Sequence, residues 1–359
     1  MLAFETRGDA YARGRQQGEA ARALTLAWIE PHLRDLAGRV RAASAGEAIR
    51  RVEPEISRWR RQAAAVYPEG EAECCGIAAG LGLDEPTYFT ALFSMRLVGV
   101  FAQCTTLGFR DAQGRPLLGK TDDLFLPELG KNVLETTYPD SGYRHVHLHF
   151  AGSVWTVAGM NEHGLAMGMN GIPGPAREQD GLPSLTALHT ILPACATVAE
   201  AIAHLRELPL NFYGFSLLLG DAGGNMALVE KNGAGTVVLP EPPGGFCLHT
   251  NHILDAGLAA QSPPQREPIH TNGVRRYRNA LRLLETLPRT EEGLRAFLAD
   301  RSPDGAICQQ GEEGLHTDFG VLFAPVEKRF VYWPGYPASA EPETIEVGRL
   351  FVESSPTRG

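Results

Sequence analysis

The sequence predicts an α+β fold in which helices cover the outside of antiparallel sheets. Two observations carry that expectation. The first hundred residues are dominated by good helix formers, whereas after Gln103 the texture changes to alternating, turn-punctuated strands. Beyond that change, pairs of strands are interleaved with helical stretches, the order expected of stacked α and β layers within one domain.

Taken in order, Ala10 to about Leu36 reads as helix with an interruption at Pro31. Glu47–Val66 places Ile49, Val52, Ile56, Trp59 and Ala63 at helical spacing, with Pro54 as a kink or a fresh start. Asp84-Glu85-Pro86 opens a helix over Tyr88–Leu97. Thr105–Phe109 and Pro116–Gly119 flank a turn, Asp111-Ala112-Gln113-Gly114. Tyr143–Phe150 alternates His145, His147 and His149 with Val146, Leu148 and Phe150, a period-2 strand. Val154–Met160 and Gly164–Met169 form a hairpin around Asn161–Gly164. Thr197-Val198-Ala199-Glu200 is a capping box opening a helix. Strands follow at Phe215–Leu219, Met226–Lys231 and Thr236–Leu239, then helices at Val274–Leu287 and Glu291–Asp300. A last hairpin joins Val321–Phe323 to Phe330–Trp333.

The 359 residues carry 33 Lys+Arg against 42 Asp+Glu, a net charge of −9, which argues against nucleic acid and anionic membranes as partners. The sequence has no apolar stretch long enough to span a bilayer. Its first residues, Met1-Leu2-Ala3-Phe4-Glu5, lack the basic and apolar pattern of a secretory signal, so a cytoplasmic location is expected. The six cysteines are then expected as free thiols. No CxxC, HExxH, P-loop or GxGxxG occurs, and no cofactor is implied.

Cys104, at the start of the β texture, is the first chemical candidate. A buried packing role is the commonest fate of a free cysteine, and a nucleophile needs a base. Cutting the chain before Cys104 would supply one, an α-amine with a pKa of about 7.7–8.0 on the same residue. His145, His147 and His149 share one strand face, a spacing that can hold zinc; the plainer reading is a solvent-facing strand. Vicinal Cys74-Cys75 reads as helix packing, and Arg50-Arg51 with Arg58–Arg61 as a solvated basic face.

Five motifs in order resemble the N-terminal-nucleophile hydrolases, and most closely the penicillin (isopenicillin N) acyltransferase family, with choloylglycine hydrolases more distant. They are Tyr11-Ala12-Arg13-Gly14…Gly18, Gly76-Ile77-Ala78-Ala79-Gly80, Cys104-Thr105-Thr106, Gly119-Lys120-Thr121-Asp122-Asp123, and His249-Thr250-Asn251-His252. Gly159-Met160-Asn161-Glu162-His163-Gly164-Leu165, leading to Asn170, adds to them. The resemblance implies a four-layer αββα sandwich with two stacked antiparallel sheets. It also implies a precursor cut between Gln103 and Cys104, with residues 1–103 as a mostly helical segment and 104–359 as the catalytic piece. The two pieces would stay associated and form one domain; a homo-oligomer is compatible with this.

The resemblance implies roles residue by residue. Cys104 is the nucleophile and Asp123 holds its amine and thiol. Asn251 donates its side-chain N–H, and Asn170 its backbone N–H, to the oxyanion. Lys120 stands where choloylglycine hydrolases carry Arg, keeping the charge without the planar fork. Thr121 replaces a common Asn, and Gln103 stands where many relatives have Gly. Arg275 and Arg276 are both candidates for a substrate-binding Arg. The implied activity is cleavage or transfer of the acyl group of a small N-acyl amide or acyl thioester through a Cys104 thioester. Two alternatives stand beside it: an unprocessed, inactive relative that binds an acylated small molecule, and a zinc hydrolase built on His145, His147 and His149.

Overall fold

A strand begins the chain where the sequence reads as mostly helical: β1 (Leu2–Gly8) precedes α1 (Ala10–Ala20). The computed structural model describes residues 1–98, 103–175, 180–211, 213–242, 244–263 and 269–353. Asp9 caps α1 by accepting the Ala12 N–H at 2.8 Å. Then come α2 (Arg22–Arg39), α3 (Ala45–Val66), α4 (Pro68–Leu81) and α5 (Glu85–Val98). The Ala10–Leu36 run breaks at Ala21 and not at Pro31, and Pro54 lies inside an unbroken α3. Both prolines sit on exposed helix faces, where a carbonyl freed of its bond turns to water.

The two N-terminal glycine motifs interlock. A Cβ on Gly14 would lie 2.0 Å from the Glu73 carbonyl oxygen, and one on Gly18 2.5 Å from that of Ile77. From the other side, Gly76 and Gly80 abut the Tyr11 and Arg15 carbonyls at 2.1 and 2.2 Å. Only hydrogen fits at these four positions, so α1 and α4 pack backbone to backbone.

The β half opens with β2 (Gln103–Arg110) and β3 (Pro116–Phe125). Their turn carries a Gly114 N–H to Asp111 carbonyl bond of 2.9 Å, and Gly114 takes φ +78, the left-handed position such turns demand. This hairpin sets Cys104 opposite Asp122. Next come β4 (Asn132–Pro139), β5 (His145–Phe150), β6 (Thr156–Asn161) and β7 (Ala166–Ile172). Helices α6 (Ser184–His189), α7 (Ile191–Ala194) and α8 (Val198–Glu207) follow. The expected capping box forms in part: Thr197 accepts the Glu200 N–H, while Glu200 reaches one residue beyond the cap, to the Ala196 N–H. Then run β8 (Gly214–Gly220), β9 (Met226–Asn232), β10 (Gly235–Leu239) and β11 (Phe246–His249). Helices α9 (Ala256–Ala260), α10 (Ile269–Leu284) and α11 (Glu291–Leu298) precede the hairpin β12 (Leu315–Ala324) and β13 (Arg329–Trp333). The described chain ends with β14 (Glu343–Glu346) and α12 (Val347–Glu353).

Eight strands form one sheet, in the order β1-β4-β5-β6-β7-β8-β9-β10, and six form the other, β11-β2-β3-β12-β13-β14. The sheets stack through β2 and β3 against β7 and β8. Helices α1, α6, α7 and α8 pack on the first sheet, and α10 and α11 on the second, giving the αββα sandwich. One correction applies to the expected antiparallel sheets: β1 pairs with β4 in parallel. The long excursion through five helices and a hairpin between them lets the chain return in the same direction. Among the described residues no helix is long and apolar enough to cross a membrane.

Candidate active site

Strand alternation splits the two strands that carry the site between two faces. Cys104 and Thr106 of β2, with Lys120 and Asp122 of β3, point between the sheets; Gln103, Thr105, Thr121 and Asp123 point toward α10 and α11. Cys104 is fully buried, and its thiol donates to Asp122 Oδ1 at 3.3 Å. Lys120 Nζ donates to the same oxygen at 2.7 Å. Room for the lysine comes from β7, where a Cβ on Gly168 would meet the Lys120 side chain at 3.4 Å. Asn132 Nδ2 bridges Asp122 Oδ2 (3.2 Å) and Asp318 Oδ2 (2.8 Å), so the carboxylate that faces the thiol is itself held.

The electrostatics follow from burial. Burial pushes the Cys104 thiol up to about 12 despite the opposing pull of the Lys120 ammonium, so in the uncut chain it is a neutral thiol. Burial also works against the charge of Lys120, but Asp122 and Cys104 outweigh it and hold the ammonium above its ordinary value. Asp123 rises to about 6 through burial, opposed by Arg276.

Asp123, the residue expected to hold the amine and thiol, therefore lies on the far face of the strand. It accepts from Thr317 Oγ1 (2.6 Å) and Gln309 Nε2 (2.9 Å), while Asp122 meets the thiol. The hairpin register decides this, since a one-residue shift moves a side chain to the opposite face.

Of the two arginines, Arg276 reaches the site. Wholly buried on α10, it donates to the Cys104 carbonyl (2.5 Å), Thr105 Oγ1 (2.8 Å), Gln103 Oε1 (2.7 Å) and Asn251 Oδ1 (2.8 Å). It grips the peptide around the expected cut from the face opposite the thiol. Arg275 turns away to an ion pair with Glu313. Residues 99–102, which lead into Gln103, lie outside the described residues.

Asn251 comes 147 residues after Cys104 and is brought beside it: its Oδ1 accepts the Cys104 N–H at 3.0 Å. Its Nδ2, the expected oxyanion donor, is turned to the Gly171 carbonyl at 3.0 Å. Asn170 also faces the gap between the sheets. Its Nδ2 donates to Thr106 Oγ1 (2.8 Å) and Ser216 Oγ (3.0 Å), and its buried Oδ1 has no hydrogen-bond partner among the described residues. The loop carrying Asn251 is anchored by His249, paired with Glu230 at 2.7 Å, whose carboxylate also accepts the Leu254 and Asp255 N–H groups.

The histidine strand needs correction: His145, His147 and His149 are all buried beneath helices, not solvent-facing. Burial lowers His145 to about 4 and holds His147 well below the ordinary imidazole value. His145 bonds the Tyr143 carbonyl (2.8 Å), so the three do not converge as a ligand triad; His147 and His149 instead face Glu135. Cys74 is buried in α4, as a packing role predicts.

Sequence reasoning missed Asp122, Asn132, Asp318, Glu135 and Glu230. For Asp122 the signal was present. A three-residue loop after Asp111 with glycine in the left-handed position pairs Asp111 with Arg115, and counting back pairs Cys104 with Asp122. The others come from distant strands and carry no local signature.

Residues 110–327 match the family model described as "Acyl-coenzyme A:6-aminopenicillanic acid acyl-transferase". No curated protein sequence matches the chain. Among solved structures, a Caenorhabditis elegans N-acylethanolamine-hydrolyzing acid amidase ortholog is similar at a TM-score of 0.45 and 14% identity, over 62% of this chain and 93% of that one. A conjugated bile acid hydrolase from Clostridium perfringens is similar at a TM-score of 0.40 and 12% identity, over 67% of this chain and 96% of that one. The family match spans more than half of the chain and includes β3, Asn170 and the Asn251 loop; the protein belongs to the acyl-coenzyme A:6-aminopenicillanic acid acyl-transferase family.

Proposed function

We propose that the protein is a self-processing cysteine amidohydrolase or acyltransferase whose nucleophile is Cys104. Its substrate is a small N-acyl amide or acyl thioester. The observation that carries the reading is the convergence on Cys104 of Asp122, Lys120 and Asn251, in a chain whose family is defined by acyl transfer.

In the intact chain the Cys104 sulfur attacks the Gln103 carbonyl carbon. The thiol proton passes to Asp122 and then to the Cys104 nitrogen as the C–N bond breaks, leaving a thioester. Water hydrolyses the thioester, releasing the Gln103 carboxylate together with a free thiol and α-amine on Cys104. Arg276 fixes the Gln103 side chain and the Cys104 carbonyl during this step, and Asn251 Oδ1 holds the nitrogen. In turnover the amine, with a pKa of about 7.7–8.0, relays the proton between the thiol and the leaving group. Asn251 Nδ2 stabilises the oxyanion by exchanging the Gly171 carbonyl for the substrate oxygen. The pairing of β1 with β4, and of α1 with both, supports association of pieces 1–103 and 104–359 after the cut.

Intact-mass measurement of the purified protein tests this. Two fragments divided before Cys104 are expected, with Cys104→Ala remaining whole. A wild-type chain that stays single, and takes no acyl group at Cys104 from amide or thioester substrates, overturns it.

A further inference from the structure

On the helix-covered face of the first sheet, under α1 and α6, a second buried cluster has no part in the Cys104 chemistry. Glu135 of β4 and His147 and His149 of β5 offer ligand atoms that all lie within 4.8 Å of one another, and each residue is nearly or fully buried. Glu135 Oε2 is 2.9 Å from His149 Nε2 and 3.8 Å from His147 Nε2. Those spacings bracket the roughly 3.3–3.6 Å between ligands of a tetrahedral ion with bonds of about 2.0–2.2 Å.

The hydrogen-bond wiring orients both rings. Glu73, ionised between Arg13 (3.1 Å) and His189 (3.3 Å), takes the His189 Nε2–H. For neutral rings, His189 Nδ1 then accepts from the Thr156 hydroxyl (2.9 Å), whose oxygen accepts the His147 Nδ1–H (2.9 Å). His147 Nε2 is left as an acceptor lone pair, with the Thr137 hydroxyl 3.3 Å away and also 3.1 Å from Glu135 Oε1. His149 spends its Nδ1–H on the Phe150 carbonyl (3.1 Å), so its Nε2 is a lone pair aimed at Glu135. Anchoring of one ring nitrogen by a carbonyl or hydroxyl while the other faces inward is the outer-sphere pattern of metal-binding histidines. Thr6 and Thr137 donate to Glu135 Oε1, which leaves Oε2 facing the two ring lone pairs in a buried space, a convergence that a cation among them relieves. A further polar group borders the cluster. Gln17 of α1, fully buried, has its Nε2 3.3 Å from Glu135 Oε2, and its Oε1 has no hydrogen-bond partner among the described residues.

We propose that Glu135, His147 and His149 form a structural site for a divalent cation of the zinc type, with the Gln17 carboxamide at the fourth position. The ion would tie α1 to β4 and β5. Because the ligands are sealed from solvent, it would load during folding and resist chelators in the native state.

The competing occupant is a proton on His149, giving a plain imidazolium–carboxylate pair. To separate the two, the protein is unfolded in guanidinium with a chelator, refolded with zinc or cobalt(II), desalted, and analysed for metal and visible absorption. About one ion per chain is expected, with the bands of tetrahedral cobalt on nitrogen and oxygen ligands and a rise in Tm over the metal-free refold. Glu135→Gln and His149→Gln should retain at least about tenfold less metal, while His145→Gln, on the same strand, keeps it. Refolded wild type without bound metal, or variants that hold as much as wild type, overturns the proposal. If the variants do not refold, the wild-type cobalt spectrum decides, and thiolate-to-cobalt bands would place the ion at a cysteine instead.

Discussion

Two buried ionic clusters lie on opposite faces of the first sheet, and they differ in what closes them. Between the sheets, Lys120, Asp122, Asn132 and Asp318 enclose a thiol; under α1, Arg13, Glu73 and His189 continue into a ladder of imidazoles with no nucleophile. The first sets a thiol against a carboxylate oxygen. The second binds helices to a sheet. Burial of charge alone therefore does not mark the active site. The distinguishing feature is a thiol, the proposed nucleophile, sharing a carboxylate oxygen with a cation, on strands brought into register by a tight turn.

The largest expected effect separates the two faces of β3. Asp122→Asn should slow self-cleavage by about 10²–10⁴, the range for losing a positioned proton acceptor. Asp123→Asn should have a much smaller effect, because it touches Gln309 and Thr317 and not the thiol. A time course of fragment formation for both variants decides; a greater loss with Asp123→Asn would reverse the assignment of faces.

Next in size is the acid sensitivity of the helix-side cluster. Burial pushes Glu73 up, but His189 and Arg13 outweigh it and hold the carboxyl at about 2, against an ordinary 4.5. A depressed carboxylate stabilises the fold above its unfolded pKa, and that contribution disappears as pH falls from about 4.5 to 2. It is on the order of 3 kcal/mol. Guanidinium unfolding across this window should show the slope in wild type and lose it in Glu73→Gln, which is also less stable at neutral pH. An unchanged slope would remove Glu73 from the brace.

The smallest effect sharpens the comparison from the packing side. Gly76→Ala drives a methyl into the Tyr11 carbonyl and should cost about 1–3 kcal/mol by prising α1 from α4. Thermal unfolding would register this, whereas the rate of fragment formation per folded molecule should hold, since the contact disturbed is the one between α1 and α4.

Much of this architecture was legible in the chain. The α-to-β change at Gln103, the Asp111–Gly114 turn, the histidine strand and the Thr197 cap each depend on local chemistry, and each lies where its residues suggest. The edge strand β1 was hidden because its partner lies more than a hundred residues away. Glu135 and Glu230 were illegible for a related reason: their partners are nearer in the chain but come from other strands or from a loop, at no fixed local spacing.

The sequence alone determined the layered α+β class, the ordered motifs and the candidates Cys104, Lys120 and Asn251, because periodicity, turn chemistry and motif order are properties of neighbouring residues. Only the tertiary structure put Asp122, and not the expected Asp123, beside the Cys104 thiol, and brought Arg276 to Cys104 while Arg275 pairs with Glu313. Adjacent residues point to opposite faces of a strand and about 100° apart around a helix. One position of register or rotation therefore exchanges a side chain in the site for one outside it. That position is set by the β2–β3 turn and by the packing of α10 on β2.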